Sequence, residues 1–223
     1  MGRMSWAAIF LSSAAMLTVI TANSVLPAAY LIRTMEKTSV VVRDVQINEN
    51  ASYHLSQAAS ECACRGRCFV DSRCIAHSYN ASGACALSDK LGQTSESSGA
   101  TYHYSEQFEQ QPDGVFYNKA LPLTYTACVA RCSHPGMRIP AAKTRATFDY
   151  LKSDPNIWVG LNKGDDGVFR WSDGSELDLT MTSPPVENEY TNIFVIWYGG
   201  FDDTYSDHTA TCTCQGVFVN VQA

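Results

Sequence analysis

The chain has 223 residues, which is enough for one or two domains. Hydrophobic residues make up 45% of it and charged residues 17%, a balance that excludes a chain disordered throughout. The formal net charge is −6 and no basic block is present, so the sequence lacks the positive surface that binds nucleic acid or anionic membranes. Nine cysteines indicate either an oxidising compartment or a metal site.

The N-terminus, residues 1–24, is predicted to be a secretory signal peptide. Arg3 precedes an apolar run at residues 6–22, and the small polar residues Asn23 and Ser24 follow it. This order is typical of signal peptides. The run is also at the lower limit for a membrane span, so an uncleaved signal anchor is the alternative. We expect a secreted, extracellular protein with no membrane association after cleavage.

Two Asn-x-Ser triplets begin at Asn50 and Asn80. Such triplets are acceptors for N-linked glycans in secreted chains. Both asparagines are therefore candidate glycosylation sites of a glycoprotein.

The first half of the chain is predicted to contain one helix and several strands. The helix covers residues 58–70 and carries Cys64 and Cys68 one turn apart on the same face. Strands are predicted where valine and other apolar residues cluster, at residues 39–46, 75–79 and 84–87. Cysteines on the helix and beside the strands allow two covalent links between helix and sheet, which suits a small domain.

Two polar stretches follow these elements. Residues 92–99 (GQTSESSG) are predicted to form a loop. Residues 106–114 (EQFEQQPDG) end in a Pro-Asp-Gly turn signal and are the better domain boundary. We therefore expect a first domain at residues 25–106, a linker at 107–113 and a second domain at 114–223.

The cysteine pattern of the first half resembles that of the PAN/apple module. The matching residues are Cys64, Cys68, Asp71, Cys74, Tyr79, Gly83, Cys85 and Leu87. The resemblance implies a helix on an antiparallel sheet, with nested disulfides Cys64–Cys85 and Cys68–Cys74. Cys62 is then left over and is a candidate for a disulfide between two copies of the chain. A zinc cluster built on the Cys-x-Cys-x3-Cys run is the alternative.

The second half is predicted to contain two helices followed by short strands. The helices cover residues 125–132, with Cys128 and Cys132 one turn apart, and residues 144–152, where Thr144 can cap the first turn. Strands are predicted at residues 157–161, 168–171, 193–198 and 210–221. A long segment at residues 176–192 contains adjacent prolines and is predicted to be irregular.

This layout and its motifs resemble the C-type lectin-like domain. The matching residues are Cys132, Gly136, Ile139 and Pro140, then Trp158 to Leu161 (WVGL), then Phe169 and Trp171 to Gly174 (WSDG), and the closing Cys214. The resemblance implies two helices, short antiparallel sheets and a long irregular loop. The predicted fold class is thus α+β, with two small disulfide-bonded domains.

The second half departs from that family in its cysteines. The usual cysteine pair of the long loop is missing, and an extra pair is present instead. Cys128 and Cys132 share one helix face, while Cys212 and Cys214 share one strand face, each pair about 5–6 Å apart. Two parallel bridges, Cys132–Cys214 and Cys128–Cys212, are therefore expected.

The resemblance also raises the question of calcium. Sugar-binding members hold calcium with an acidic or amide residue on either side of a loop proline, and with a Trp-Asn-Asp triplet. Here these positions read Ser183-Pro184-Pro185 and Phe201-Asp202-Asp203. One interpretation is a rebuilt calcium site with Glu187, Asn188, Asp202 and Asp203 as ligands. The other, which we favour, is a solvated acidic loop without metal.

No sequence motif for catalysis is present, and an enzyme is not expected. The histidines are scattered and are expected to be surface or structural residues: His54, His77, His103, His134 and His208. The leading hypothesis is a secreted recognition protein that binds a glycan or glycoprotein with weak or absent calcium dependence. The alternative is a protein-binding module for adhesion or defence. In either case, residues 183–192 and 201–207 are expected to contact the ligand.

Overall fold

A computed structural model of the protein describes residues 29–33, 38–111, 115–188 and 191–218. The predicted signal peptide lies outside the described residues. The fold is α+β, as expected, with two large sheets and three α-helices in the described part of the chain. None of these helices combines the length and apolarity needed to cross a membrane.

The first sheet has six strands, and one helix packs against it. In chain order the elements are β1 (Ala29–Arg33), β2 (Thr38–Ile47), a 3₁₀ helix (Glu49–Ala51), β3 (His54–Gln57), α1 (Glu61–Val70), β4 (Ala76–Tyr79), β5 (Ala84–Ser88) and β6 (Thr94–Ser105). All pairings are antiparallel, in the spatial order β1-β2-β6-β4-β5-β3.

Strand β6 corrects the prediction of a loop at residues 92–99. It begins at Thr94 and pairs with β2 on both sides of a bulge at Asp44. Asp44 adopts a φ of 58°, and its Oδ1 accepts a hydrogen bond of 2.8 Å from the Gly99 backbone N–H. The polar composition was misleading because the long strand β2 offers backbone partners along its whole length.

Helix α1 begins at Glu61, three residues later than predicted. The hydroxyl of Ser60 accepts a 3.2 Å hydrogen bond from the Ala63 N–H and so caps the first turn. Disulfide Cys64–Cys85 connects the helix to β5, and Cys68–Cys74 connects it to the segment just before β4; these are the expected pairs. Cys62 is exposed and free.

The second sheet is built from the rest of the chain. Its region contains β7 (Glu109–Gln110), β8 (Phe116–Thr124), α2 (Tyr125–Cys132), β9 (Met137–Arg138), α3 (Arg145–Leu151), β10 (Asn156–Val159), β11 (Leu161–Lys163), β12 (Phe169–Trp171), β13 (Phe194–Trp197), β14 (Gly200–Asp203) and β15 (Thr209–Gly216). The spatial order is β14-β13-β10-β15-β8-β7, with β9 on β15 and with β11 and β12 as a separate hairpin.

Residues 107–111, expected to belong to a linker, are part of the fold. Strand β7 pairs with β8, and Phe108 is buried and packs edge-on against Phe218 at a centroid distance of 4.9 Å. One continuous cluster of buried residues includes Val40 and Tyr104 of the first sheet together with Trp158 of the second. The division into two separate domains therefore stays a prediction.

The WVGL and WSDG motifs are buried or turn residues, as expected. Trp158 and Trp171 are 0% and 2% exposed. Gly160 separates β10 from β11, and a Cβ atom there would lie 2.5 Å from Ile139 Cγ2. Asp173 forms ion pairs with Arg138 and Lys143, which fixes the turn against the neighbouring β9 segment.

Helix α2 is joined to β15 by two bridges, Cys128–Cys212 and Cys132–Cys214, with Cα–Cα distances of 5.4 and 5.2 Å. These are the pairs expected from the i, i+4 and i, i+2 spacing. All four sulfurs are in buried residues. Each bridge closes a chain segment of more than 80 residues, with separations of 84 and 82.

The two bridges are predicted to stabilise the protein in a non-additive way. With one bridge intact, the other closes only a short ring, so its replacement by alanines should cost about 2–3 kcal/mol. Replacing both frees the long loop as well and should cost about 7 kcal/mol in total. Urea unfolding of Cys128→Ala/Cys212→Ala, Cys132→Ala/Cys214→Ala and the quadruple variant measures this. The prediction is contradicted if the quadruple variant loses no more unfolding free energy than the two double variants lose when their losses are added.

The first sheet also buries a pair of stacked histidines. His77 on β4 and His103 on β6 are direct cross-strand partners, each 6% exposed, with ring centroids 4.5 Å apart. Glu61 of α1 contacts His103 Nε2 at 2.8 Å. Burial lowers the pKa of His77 to about 3, helped by the nearby His103 and Arg65. Burial also lowers the pKa of His103, although Glu61 acts in the opposite direction.

Stability is predicted to fall as the pH drops below about 6.5, the pKa of histidine in an unfolded chain. Below that pH these imidazoles take up protons in the unfolded chain. In the folded protein they stay neutral until the pH reaches their lower folded-state pKa. For His77 the loss should approach about 1.4 kcal/mol per pH unit. We measure the free energy of unfolding in urea at pH 7, 6 and 5. Its decrease with falling pH should be less steep for His77→Phe than for wild type. His54→Gln, at an exposed position, is the control. Equal slopes for wild type and His77→Phe would refute the assignment.

Candidate functional site

The end of the long irregular loop lies beside β14, the edge strand of the second sheet. The Val186 N–H donates to the Phe201 carbonyl at 2.9 Å, and the Asp203 N–H donates to the Val186 carbonyl at 3.2 Å. This parallel pairing fixes residues 186–188 against the strand. It brings Asn188 to Asp202 and Asp203, three of the four predicted site residues.

Asn188 is held by both aspartates. Its side-chain Nδ2 donates to Asp202 Oδ1 at 2.9 Å, and its backbone N–H donates to Asp203 Oδ1 at 2.7 Å. Asp203 is only 5% exposed, whereas Asp202 is half-buried. Partial burial and the neighbouring Asp203 charge raise the pKa of Asp202. The two carboxylates therefore position the loop backbone and one amide side chain.

The fourth predicted residue, Glu187, has a different partner. Its Oε2 lies 2.5 Å from Nζ of Lys163 at the end of β11. The ammonium group neutralises the carboxylate and ties the loop to the β11–β12 hairpin. The sequence provided no indication of this contact, since the two residues are 24 positions apart.

These residues do not fit a calcium ion. Calcium requires six to eight oxygen ligands, several of them from carboxylates. Here a lysine neutralises Glu187, and Asp203 Oδ1 accepts a backbone hydrogen bond. Within the described ranges, the one group of three metal-type ligand atoms that lie within 4.8 Å of each other is Cys128, Cys132 and Cys212, and all three sulfurs are in disulfides.

The segments expected to contact a ligand are only partly exposed. Pro185 and Phe201 are buried, whereas Val186 and Tyr205 are 54% and 53% exposed. Glu189 and Tyr190 lie outside the described residues. Only part of residues 183–192 and 201–207 is therefore accessible to a ligand.

A neighbouring surface was missed by the sequence reasoning. At the tip of the β13–β14 hairpin, Trp197 and Tyr198 are 39% and 81% exposed, and their rings contact each other edge-on at 5.0 Å. Two aromatic residues directly followed by Gly199-Gly200 between strands are a hairpin signal that would have located them.

No family model matches the sequence, and no curated protein matches it. Similar solved structures are the trimeric Kupffer cell C-type lectin receptor Clec4f and the C-type lectin CEL-I from Cucumaria echinata. Clec4f is 13% identical with a TM-score of 0.43, and the match covers 49% of this chain and 82% of that chain. CEL-I is 18% identical with a TM-score of 0.39, over 50% of this chain and 96% of that chain. An EPNH mutant of CEL-I is 20% identical with a TM-score of 0.38, and the match covers 48% of this chain and 92% of that chain.

We predict that calcium does not stabilise the protein. A calcium site would add about 2.7 kcal/mol at a hundredfold excess over its dissociation constant. Because the Lys163 ammonium offsets the charge of Glu187 and repels a cation, the melting temperature should be the same in millimolar calcium and in chelator. A chelator-reversible rise of several degrees that is lost in Asp202→Ala or Glu187→Ala would show that the loop binds calcium.

Proposed function

We propose that the protein is a secreted recognition protein that binds carbohydrate or a glycoconjugate at the edge of the second sheet, without calcium. The observation that carries the proposal is the grouping of Lys163, Glu187, Asn188 and Asp202 on exposed or half-exposed positions of one edge. This edge carries one charged donor, two charged acceptors and an amide.

Such a mixture suits the hydroxyl groups of a sugar, each of which both donates and accepts hydrogen bonds. Asp202 and Glu187 supply acceptors, and hydrogen bonds to charged groups are stronger than those between neutral groups. Asn188 and Lys163 supply donors. Because these side chains are already held by each other, a sugar finds them in place and little side-chain entropy is lost on binding.

The alternative function is recognition of a protein without sugar binding. It is favoured by two exposed apolar residues of the long loop, Leu179 and Val186, which are 52% and 54% exposed. Apolar contacts of this kind contribute more to a protein interface than to a polar glycan.

Secretion is proposed from the disulfides. All four bridges require an oxidising compartment to persist. The exposed thiol of Cys62 remains available for the covalent homodimer expected from the sequence, and this dimer stays a prediction.

Retention of the wild-type protein on an array of immobilised glycans tests the function. We expect retention that persists in chelator. Asn188→Ala removes a neutral amide, and Asp202→Asn replaces a charged acceptor by a neutral group. Each should weaken binding about tenfold. Asp89→Asn changes the charge equally at an exposed position directly after β5 and should bind like wild type. If the protein is retained by none of the glycans but binds a protein ligand through the same surface, the alternative is supported.

A further inference from the structure

The tip of the β13–β14 hairpin has an unusual residue at its turn. Trp197 pairs with Gly200, so Tyr198 and Gly199 form a two-residue turn. Their φ angles are 45° and 87°, which means that both residues adopt the left-handed region. Turns of this type strongly favour Asn, Asp or Gly at the first position. Tyrosine there is strained, because its Cβ is crowded in this conformation.

The strain at Tyr198 is not offset by burial, since its side chain is 81% exposed. A backbone outlier of this kind, at a residue that adds nothing to the core, is a reason to look for a function. The exposed phenol ring stands beside the indole of Trp197, with their centroids 5.0 Å apart. Together they present two aromatic rings to solvent at one end of the sheet.

The indole of Trp197 lies on the same sheet face as Asp202. In β14 the partner of Trp197 is Gly200, and Asp202 follows two residues later, so both side chains point to the same side. This diagonal arrangement places the two residues about 7–8 Å apart. Gly200 leaves the space between them open, because a Cβ atom there would have no heavy atom of the described residues within 4 Å.

The indole of Trp197 also packs against a neighbouring side chain. His208 contacts Trp197 edge-on at 6.2 Å and the buried Trp158 at 5.8 Å. Asn156 lies 3.2 Å from His208 Nε2 and so helps to hold the imidazole. A ring backed in this way is positioned before a ligand arrives, which lowers the entropy lost on binding.

We propose that Trp197 and Tyr198 form a stacking subsite for a sugar ring, and that this subsite and the Asn188–Asp202 edge together select an oligosaccharide over a monosaccharide. The inference rests on the proposed function and extends it. One face of a pyranose carries C–H groups, whose partial positive charge suits the negative face of an aromatic ring. A second ring of the same glycan then reaches across Gly200 to Asp202 and Asn188.

The surroundings favour a glycan over a protein at this tip. A standard protein interface buries about 800 Å² on each partner and has an apolar centre. The tip instead offers two aromatic rings bordered by polar side chains, namely Asn156, His208 and Asp202. A small apolar surface with hydrogen-bonding groups at its rim matches a sugar ring, which has an apolar face and a polar edge.

The intrinsic tryptophan fluorescence provides a direct readout. Of the tryptophans in the described residues, Trp158 and Trp171 are buried and Trp197 is exposed. Wild-type protein is titrated with mannobiose, lactose and chitobiose, and in parallel with mannose, galactose and N-acetylglucosamine. We expect at least one disaccharide to change the emission and to bind at least tenfold more tightly than its monosaccharide.

Two variants test the tip itself. Measured by titration calorimetry, since the variant lacks the reporting indole, Trp197→Ala should reduce the preference for the disaccharide to less than threefold while monosaccharide binding stays unchanged. Tyr198→Gly should weaken disaccharide binding and at the same time raise the melting temperature, because glycine relieves the left-handed strain. A merely structural tyrosine would give a lower melting temperature instead. Leu121→Ala, at a residue that is 82% exposed in β8, is the control.

The outcomes separate this inference from the proposed function. If wild-type protein binds none of the sugars and no glycan on the array, both fail. If disaccharide binding is lost in Asp202→Asn but unchanged in Trp197→Ala and Tyr198→Gly, the edge binds sugar and the stacking subsite is refuted. If Trp197→Ala alters the sedimentation of the protein but not its sugar binding, the tip is a contact between copies and the subsite is likewise refuted.

Discussion

The second half of the molecule depends on the paired disulfides between α2 and β15. Strand β15 lies at the centre of its sheet, between β8 and β10, and β13 and β14 follow β10 outward to the edge. Fixing α2 to β15 at Cys212 and Cys214 therefore fixes the strand on which the sheet order is built. The two bridges together also prevent rotation of the helix about a single link, so one face of α2 stays on the sheet.

The long loop has no such covalent link and is held by non-covalent contacts instead. Backbone pairing of Val186 with β14, the Lys163–Glu187 ion pair and the Asn188 hydrogen bonds hold the end of the loop in place. The Lys163 ammonium offsets the charge of Glu187 and repels a divalent cation, which binds several carboxylates at once. Loop anchoring and metal binding are thus competing uses of the same side chains, and here the structure favours anchoring.

The first sheet is attached through both polar and apolar contacts. The Tyr104 hydroxyl donates to the Pro135 carbonyl at 2.8 Å. Asn118 of β8 donates to Glu106 and accepts a 2.8 Å hydrogen bond from Arg131 of α2. Because these groups are partly buried and satisfy each other, they specify one relative placement of β8 and α2 against the end of the first sheet. The neighbouring buried cluster supplies apolar contacts across the same boundary.

The sequence by itself determined the features that follow from local spacing. Cysteines at i, i+4 and i, i+2 indicated which faces carry sulfur, Thr144 marked the start of α3, and Trp158 and Trp171 were recognised as core residues. These signals depend on residues within one element.

The tertiary structure decided the rest, because it depends on register between distant segments. Only the pairing with β2 shows that residues 94–99 are a strand, and only the sheet places His77 against His103. The partner of Glu187 is set by how the loop returns to β11, and the common face of Trp197 and Asp202 is set by a two-residue turn. A shift of one residue in that register would move either side chain to the opposite face.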